Sequence, residues 1–433
     1  MKACAACGRL YPDDAGFCPV DGTALTSATQ VPIAADKDDP RVGQLLCERY
    51  QIRRVVADGG MGRVYEALDM QERRNVALKI LHADVARDEV SVERFKREFE
   101  VSRLLPHQHI VEVLGFQPTN DGTYALAMEF LYGEELRATL KREAVIGPAR
   151  IVRMLAQAAL ALDAAHAKKF VHRDLKPDNL FLCQTPEGDI VKVLDFGSVK
   201  DKGESAKKLT VLGTTIGSPF YMAPEQAQGL DTLDHRADVW ALAAIAYECM
   251  TSHVPFSGSN GPSILLEILT KDPKSPSEVG KGQKYPVPPT LDPVMAQAFK
   301  KMATLRTESV GAFADAVGRA YGLDGSHLEW AAVPEGDIAA KIEAKMPALM
   351  SAAPAPKKPA DASDSFFGED DALGAGIAPS PAGDAGVMSA PPASIELAAA
   401  GIPKAQPSWL MLAIVGGGAV LLGIVIVLIL ALR

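Results

Sequence analysis

The chain has 433 residues, 48% hydrophobic and 23% charged, a composition that can build cores for roughly two to four domains. A formal net charge of −9 leaves no basic footprint and argues against nucleic acid as a partner. Three of the six cysteines crowd the first twenty residues and three lie far apart, which is no disulfide framework, and the opening MKACAACGRL carries no secretory signal.

Residues 1–25 form a cysteine-bearing head. Cys4-x-x-Cys7 and Cys18-Pro-Val-Asp21 read as two knuckles, closed by Gly8 and Gly22, that point four ligands at one tetrahedral ion. This is a zinc-ribbon-like pattern with Asp21 as fourth ligand. It serves either as a metal-stapled mini-domain, since so short a segment has no core of its own, or as a docking or sensing module. Residues 26–44 are a polar connector.

From 45 to 322 strand-like runs (VYEALD, NVALKIL, YALAMEF) come first, and helical patterns (IVRMLAQAALALDAAHA, DVWALAAIAYECM) follow. The expected class is α+β, with a small sheet lobe and a larger helical lobe. Residues 323–408 are expected to be an Ala/Pro-rich linker, largely disordered, with a short helix within Leu328–Leu349 as the exception. SFFGEDD within it is a docking motif or featureless linker. Trp409 to Arg433 has no charged residue before Arg433, and Leu410–Leu432 would span about 34 Å as a helix against a hydrocarbon core of ~30 Å. A transmembrane helix is expected there, with Trp409 and Arg433 as interfacial anchors; a buried core helix is the alternative.

The chemistry lies between. VVADGGMGRVYEALD places Gly59, Gly60 and Gly62 in an expected hairpin, where backbone N–H groups can approach phosphate because no side chain intrudes; a tight hairpin without ligand reads equally well. Lys79 ends VALK on a strand and Glu98 lies on a helix-like stretch, a cation for phosphates with an acid to hold it. HRDLKPDN supplies Asp174, Lys176 and Asn179, and DFG supplies Asp195. Asn179 and Asp195 offer oxygen ligands for a hard cation such as Mg²⁺, Asp174 can accept a hydroxyl proton, and Lys176 can neutralise a moving phosphoryl group.

In this order the motifs resemble those of a protein kinase of the Hanks, eukaryotic-like type, particularly the bacterial membrane-associated Ser/Thr kinases, over about residues 50–320. The resemblance implies a bilobal kinase fold and ATP used with Mg²⁺, or Mn²⁺ in its place. It implies Lys79 on the α- and β-phosphates, Asp174 as base, and Val56, Val64, Ala77 and Phe181 around the adenine. Ala57, Asp58, Gly59, Gly60, Met61, Gly62 and Arg63 complete the nucleotide loop, Met128 is the gatekeeper, and Glu129 and Leu131 present hinge backbone groups. It pairs Arg306 with Glu225 of Ala223-Pro224-Glu225, although MATLRTESVGAF lacks the usual Asp-Pro before the Arg. Lys176 and GSPFYMAPE, with Ser218 where Thr is usual, resemble the Ser/Thr class.

Arg173 beside Asp174 implies control by phosphorylation, with Thr210, Thr214 and Thr215 as acceptors or as plain solvated threonines. The expected partners are Ser/Thr-bearing proteins, the membrane and a second copy of the chain. The expected location is the inner membrane, single-pass, with the catalytic lobes in the cytoplasm and no external sensor domain. Ala57, where such loops have their first glycine, is the best support for a rival reading as a membrane-tethered pseudokinase scaffold. Intact Lys79, Glu98, Asp174, Asn179 and Asp195 argue for catalysis.

Overall fold

The computed structural model describes residues 2–4, 10–11, 16, 25–27, 39–196, 219–230 and 233–351. Cys7, Cys18, Asp21, Thr210, Thr214, Thr215, Ser218 and the whole of 409–433 lie outside the described residues, as does SFFGEDD. Within the head, β1 (Lys2–Cys4) pairs antiparallel with β2 (Leu10–Tyr11) and with β3 (Leu25–Ser27).

The small lobe is a six-stranded sheet. Its strands are β4 (Leu45–Leu46), β5 (Tyr50–Asp58), β6 (Gly62–Asp69), β7 (Arg74–Leu81), β8 (Val113–Pro118) and β9 (Tyr124–Glu129), in the order β4-β5-β6-β7-β9-β8. Alternation along β7 turns Val76, Leu78 and Ile80 into a core with Tyr50, Ile52, Tyr65 and Ala67. Ala77 and Lys79 therefore face the other way.

Helix α1 (Glu89–Leu104) starts at Asp88, whose carboxylate accepts from the Ser91 amide at 3.0 Å. Its buried stripe is Phe95, Glu98, Val101 and Ser102, so helical periodicity carries Glu98 to the face that packs on the sheet. Phe95 joins Leu81, Val113 and Leu126 in a second small core.

The large lobe opens with β10 (Gly133–Glu135), α2 (Leu136–Glu143) and α3 (Pro148–Ala167), followed by β11 (Leu180–Cys183) and β12 (Ile190–Val193). Then come α4 (Pro224–Ala227), α5 (Arg236–Thr251), α6 (Gly261–Thr270), α7 (Pro276–Val279), α8 (Asp292–Ala298) and α9 (Val310–Ala320). Helices α3 and α5 are Ala-rich and buried on almost every side, so they form the centre of the lobe. Trp240 on α5 stacks on Phe256 at 5.3 Å and meets Phe299 edge-on at 5.1 Å. Strand β12 also bonds to the small lobe: the Val111 amide donates to the Val193 carbonyl, and the Val193 amide to the His109 carbonyl.

The packed region continues past the expected boundary at 322. Helices α10 (His327–Trp330) and α11 (Glu335–Ser351) lie where a short helix is expected within Leu328–Leu349 as the exception to a linker. Trp330 is buried against Gly318, where an added Cβ would come within 2.0 Å of the indole. Arg153 and Gln157 of α3 donate to the carbonyls of Val333 and Ala331. Ile338 and Ile342 join the main core. The short helix expected within Leu328–Leu349 thus takes the form of two helices packed on the lobe, because a few large apolar side chains at helical spacing dock a segment of otherwise polar composition.

Candidate active site

Lys79, Glu98, Asp174, Lys176, Asn179 and Asp195 come from elements of both lobes. On β7, Lys79 pairs with Val64 of β6 and Leu126 of β9, so its side chain leaves the sheet toward α1. Its Nζ donates to Glu98 at 2.9 Å and 3.2 Å and lies 4.0 Å from Asp195 Oδ2. Burial pushes the Glu98 carboxyl up, the nearby Asp195 carboxylate pushes it further, and Lys79 only partly offsets them, leaving it at about 7. Lys79 stays charged: burial opposes its ammonium, but Glu98 and Asp195 outweigh that and raise it.

Asp174 accepts from Lys176 Nζ at 2.8 Å, and Asn179 Nδ2 donates to the Asp174 carbonyl at 2.7 Å. That bond commits the amide nitrogen of Asn179 and leaves Oδ1 as the atom of this side chain that could face a cation. The Leu194 amide donates to the Asn179 carbonyl at 2.9 Å, which ties the Asp195 segment to the Asp174 loop. Phe196 is fully buried with its ring 4.9 Å from that of His172. Arg173 and Asp195 both adopt positive φ, +67° and +56°, at a cost of about 1–3 kcal/mol each that the surrounding bonds must hold in place.

Asp238 of α5 supplies much of that restraint. This buried carboxylate accepts from the backbone amides of His172 and Arg173, each at 2.9 Å, and lies 2.7 Å from His166 Nε2. Gln226 adds a bond to the Arg173 carbonyl at 2.7 Å. In the sequence Asp238 is visible only as part of DVW, while the positioning roles of His166 and Gln226 carry no local signal. Arg306 and Glu225 meet bidentately at 2.6 Å and 2.5 Å. The remaining Arg306 donors reach the carbonyls of Lys300, Arg236 and Lys301, which satisfies a guanidinium with no exposure.

The β5–β6 hairpin carries Val56, Ala57, Asp58, Gly59, Gly60, Met61, Gly62, Arg63 and Val64. Gly62 admits no side chain, since a Cβ would lie 2.3 Å from the Ile80 carbonyl oxygen of β7. A Cβ at Gly59 would meet the Gly62 carbonyl oxygen at an ordinary 3.6 Å, and one at Gly60 would meet nothing within 4 Å. Ala57 is exposed, follows an irregularity between Val55 and Ala57, and pairs with Val64. Ala77 pairs with Met128, which brings two of the expected adenine neighbours side by side. Leu131 lies two residues beyond the end of β9, and Phe181 lies on β11 opposite Glu135. The N–H of Glu129 donates to the Glu112 carbonyl at 2.9 Å, so an adenine contact by Glu129 must use its carbonyl.

The donor set suits a divalent cation shared with phosphates. Two acids, Glu98 and Asp195, lie on one lysine, an excess of negative charge that a cation would balance. Among the described residues there is no cluster of three His, Cys, Asp or Glu that would form a self-contained metal site. A cation completed by phosphate oxygens requires none.

Residues 50–312 match the family model described as Protein kinase domain. Over 278 residues the chain is 35% identical to the serine/threonine-protein kinase pkn3 of Myxococcus xanthus, a match covering 64% of this chain and 50% of that protein. It is 37% identical over 321 residues to Pkn1 of the same organism (72% and 45%) and 36% identical over 286 residues to PknA of Mycobacterium tuberculosis (64% and 62%). The chain thus spans about half the length of the curated relatives it matches. A crystal structure of a doubly substituted PknI kinase domain from M. tuberculosis matches with a TM-score of 0.51 at 27% identity, covering 64% of this chain and 97% of that one. The chain belongs to the protein kinase domain family.

Proposed function

We propose that the chain is an ATP-dependent Ser/Thr protein kinase that phosphorylates hydroxyls on other proteins and on its own loop. The observation that carries this reading is the meeting of Lys79, Glu98 and Asp195 from separate elements, beside an Asp174 loop held by Asp238. Relatives bearing the name serine/threonine-protein kinase support the class of acceptor.

In this mechanism Lys79, directed by Glu98, orients the nucleotide phosphates. Asp174 takes the proton of the acceptor hydroxyl as its oxygen attacks the γ-phosphorus, and the bond to the β-phosphate oxygen breaks to release ADP. Lys176, 2.8 Å from Asp174, balances charge on the phosphoryl group in transit. Asn179 and Asp195 would hold Mg²⁺, which supplies charge neutralisation at the phosphates when bound.

Arg173 supports control by loop phosphorylation at Thr210, Thr214 or Thr215. Its buried Nε has no hydrogen-bond partner among the described residues, and burial with neighbouring Arg97 depresses its guanidinium, an arrangement that favours an incoming anion. The finer reading adds a head that binds zinc through Cys4, Cys7, Cys18 and Asp21, and a C-terminal helix that holds the kinase at the bacterial inner membrane with its lobes in the cytoplasm. Helix-mediated pairing would raise local concentration for phosphorylation in trans. Among the described residues no helix is long and apolar enough to cross a membrane. This part of the reading rests on the sequence of 409–433.

Incubating the chain with Mg²⁺ and γ-labelled ATP, followed by phosphoamino-acid analysis, tests the function. Label on threonine or serine that disappears in Lys79→Met is expected. Absence of label from the wild type, or label unaffected by the substitution, contradicts it.

A further inference from the structure

The nucleotide hairpin is held from outside its own strands. Asp39 precedes the sheet, yet its side chain is 5% exposed. One carboxylate oxygen accepts from Arg63 Nη1 at 2.5 Å and from the Tyr65 hydroxyl at 2.8 Å, and the other accepts from the Arg41 amide at 2.8 Å. Burial pushes this carboxyl up, but these three donors outweigh it and keep it below its ordinary value. Asp39 is therefore an anion at neutral pH.

Arg63 directly follows Gly62. Its Nε donates to Asp58 on the facing strand at 2.9 Å. Asp58 lies 3.1 Å from His82 Nε2, and the same nitrogen is 2.9 Å from the Gly59 carbonyl oxygen. A continuous series of polar contacts thus runs from Asp39 through Arg63, Asp58 and His82 to the loop tip. The segment that carries Asp39 is itself fixed: Arg41 pairs with Asp121 at 2.5 Å, the Gly43 amide donates to the Ile52 carbonyl, and the Ile52 amide to that of Gln44.

An exposed Asp58–Arg63 pair alone would be weak and mobile, because two solvated side chains must be ordered to make it. Burial of Asp39 changes that, since leaving a buried carboxylate without its guanidinium is costly and Arg63 is thereby confined to one pose. We propose that Asp39 is a positioning residue for the nucleotide: by clamping Arg63 it sets the pose of residues 58–63, so that the segment before the sheet tunes how tightly phosphates are held. The proposal rests on the phosphoryl-transfer reading above. The simpler alternative is a buried ion pair that only stabilises the lobe.

The test compares full-length wild type, Asp39→Asn, Arg63→Gln and the double variant, by titration with a fluorescent ATP analogue in Mg²⁺ and by steady-state kinetics. Asp69→Asn is the control, since it removes a buried carboxylate paired with Arg49 at the far end of the same hairpin. Asp39→Asn is expected to weaken nucleotide binding and raise KM for ATP by about three- to tenfold with kcat within about twofold. The double variant should be no worse than Arg63→Gln, and Asp69→Asn should lower the melting temperature without raising KM. Unchanged affinity in Asp39→Asn, additive losses in the double variant, or an equal KM rise in Asp69→Asn overturns the proposal. If Asp39→Asn does not fold, Tyr65→Phe, which removes one donor to Asp39 and leaves Arg63 in place, is judged by the same criteria. A wild type that neither binds nucleotide nor transfers phosphate overturns the functional reading itself, whereas one that does both while Asp39→Asn matches it overturns only this proposal.

Discussion

Asp238 is fully buried, yet it stays charged. Burial pushes its carboxyl up, but the hydrogen bond and charge of His166 and the backbone amides of the catalytic loop bring it below its ordinary value. His166 responds in kind: burial opposes its charge, but Asp163 and Asp238 raise it to about 9. At 3.7 Å the Asp163 contact is an ion pair rather than a hydrogen bond. A histidine raised in the folded state contributes stability that is complete below about pH 6.5 and is lost as pH rises through about 9. Glu98, raised from 4.5 to about 7, acts with the same sign but only up to about pH 7. Lys301, lowered by burial to about 8, acts with the opposite sign above that pH. The denaturation free energy of wild type should therefore fall faster with pH than that of His166→Gln between pH 7 and 9, by at most ~1.4 kcal/mol per pH unit. Parallel profiles for the two proteins would contradict the assignment. Lys79, Asp174 and Asn179 stand out in the sequence because the proposed chemistry needs particular residue types within short motifs. His166 and Gln226 do not, because their roles arise from partners many residues away.

Elements differ in how openly the sequence announces them. The strand β7 and the helix α1 follow from alternation and from the stripe Phe95, Glu98, Val101, and together they fix the Lys79–Glu98 pair. Helices α10 and α11 show in the sequence only as one short helix within Leu328–Leu349, since WAAVPEGDIAAKIEAKMPALM mixes Pro, Gly and charges; their docking is concealed, because it depends on a slot at Gly318 that only the fold creates. Trp330→Ala should destabilise the lobe by about 3–5 kcal/mol, the usual cost of deleting a buried large aromatic side chain. Chemical denaturation of the full chain checks this. A loss below about 1 kcal/mol would mean that residues 323–351 are an appendage rather than part of the core.

At the scale of the whole molecule, the site exists only because two lobes are joined. Strand β12 bonds to the 109–111 segment of the small lobe, and Lys192 pairs with Glu129 at 2.6 Å. Asp195, two residues beyond β12, is thereby carried to within 4.0 Å of Lys79. The sequence identified both halves of this arrangement through their motifs. The bonds that join them, made largely by backbone groups, have no residue signature to read. The central claim is that this assembly moves a phosphoryl group with Asp174 as base, and a single-turnover comparison of wild type and Asp174→Asn, preloaded with labelled ATP and Mg²⁺, tests it most directly. The account predicts that nucleotide binding survives while phosphoryl transfer to serine or threonine falls by about 10²–10⁴-fold. Equal transfer by the two proteins would contradict it.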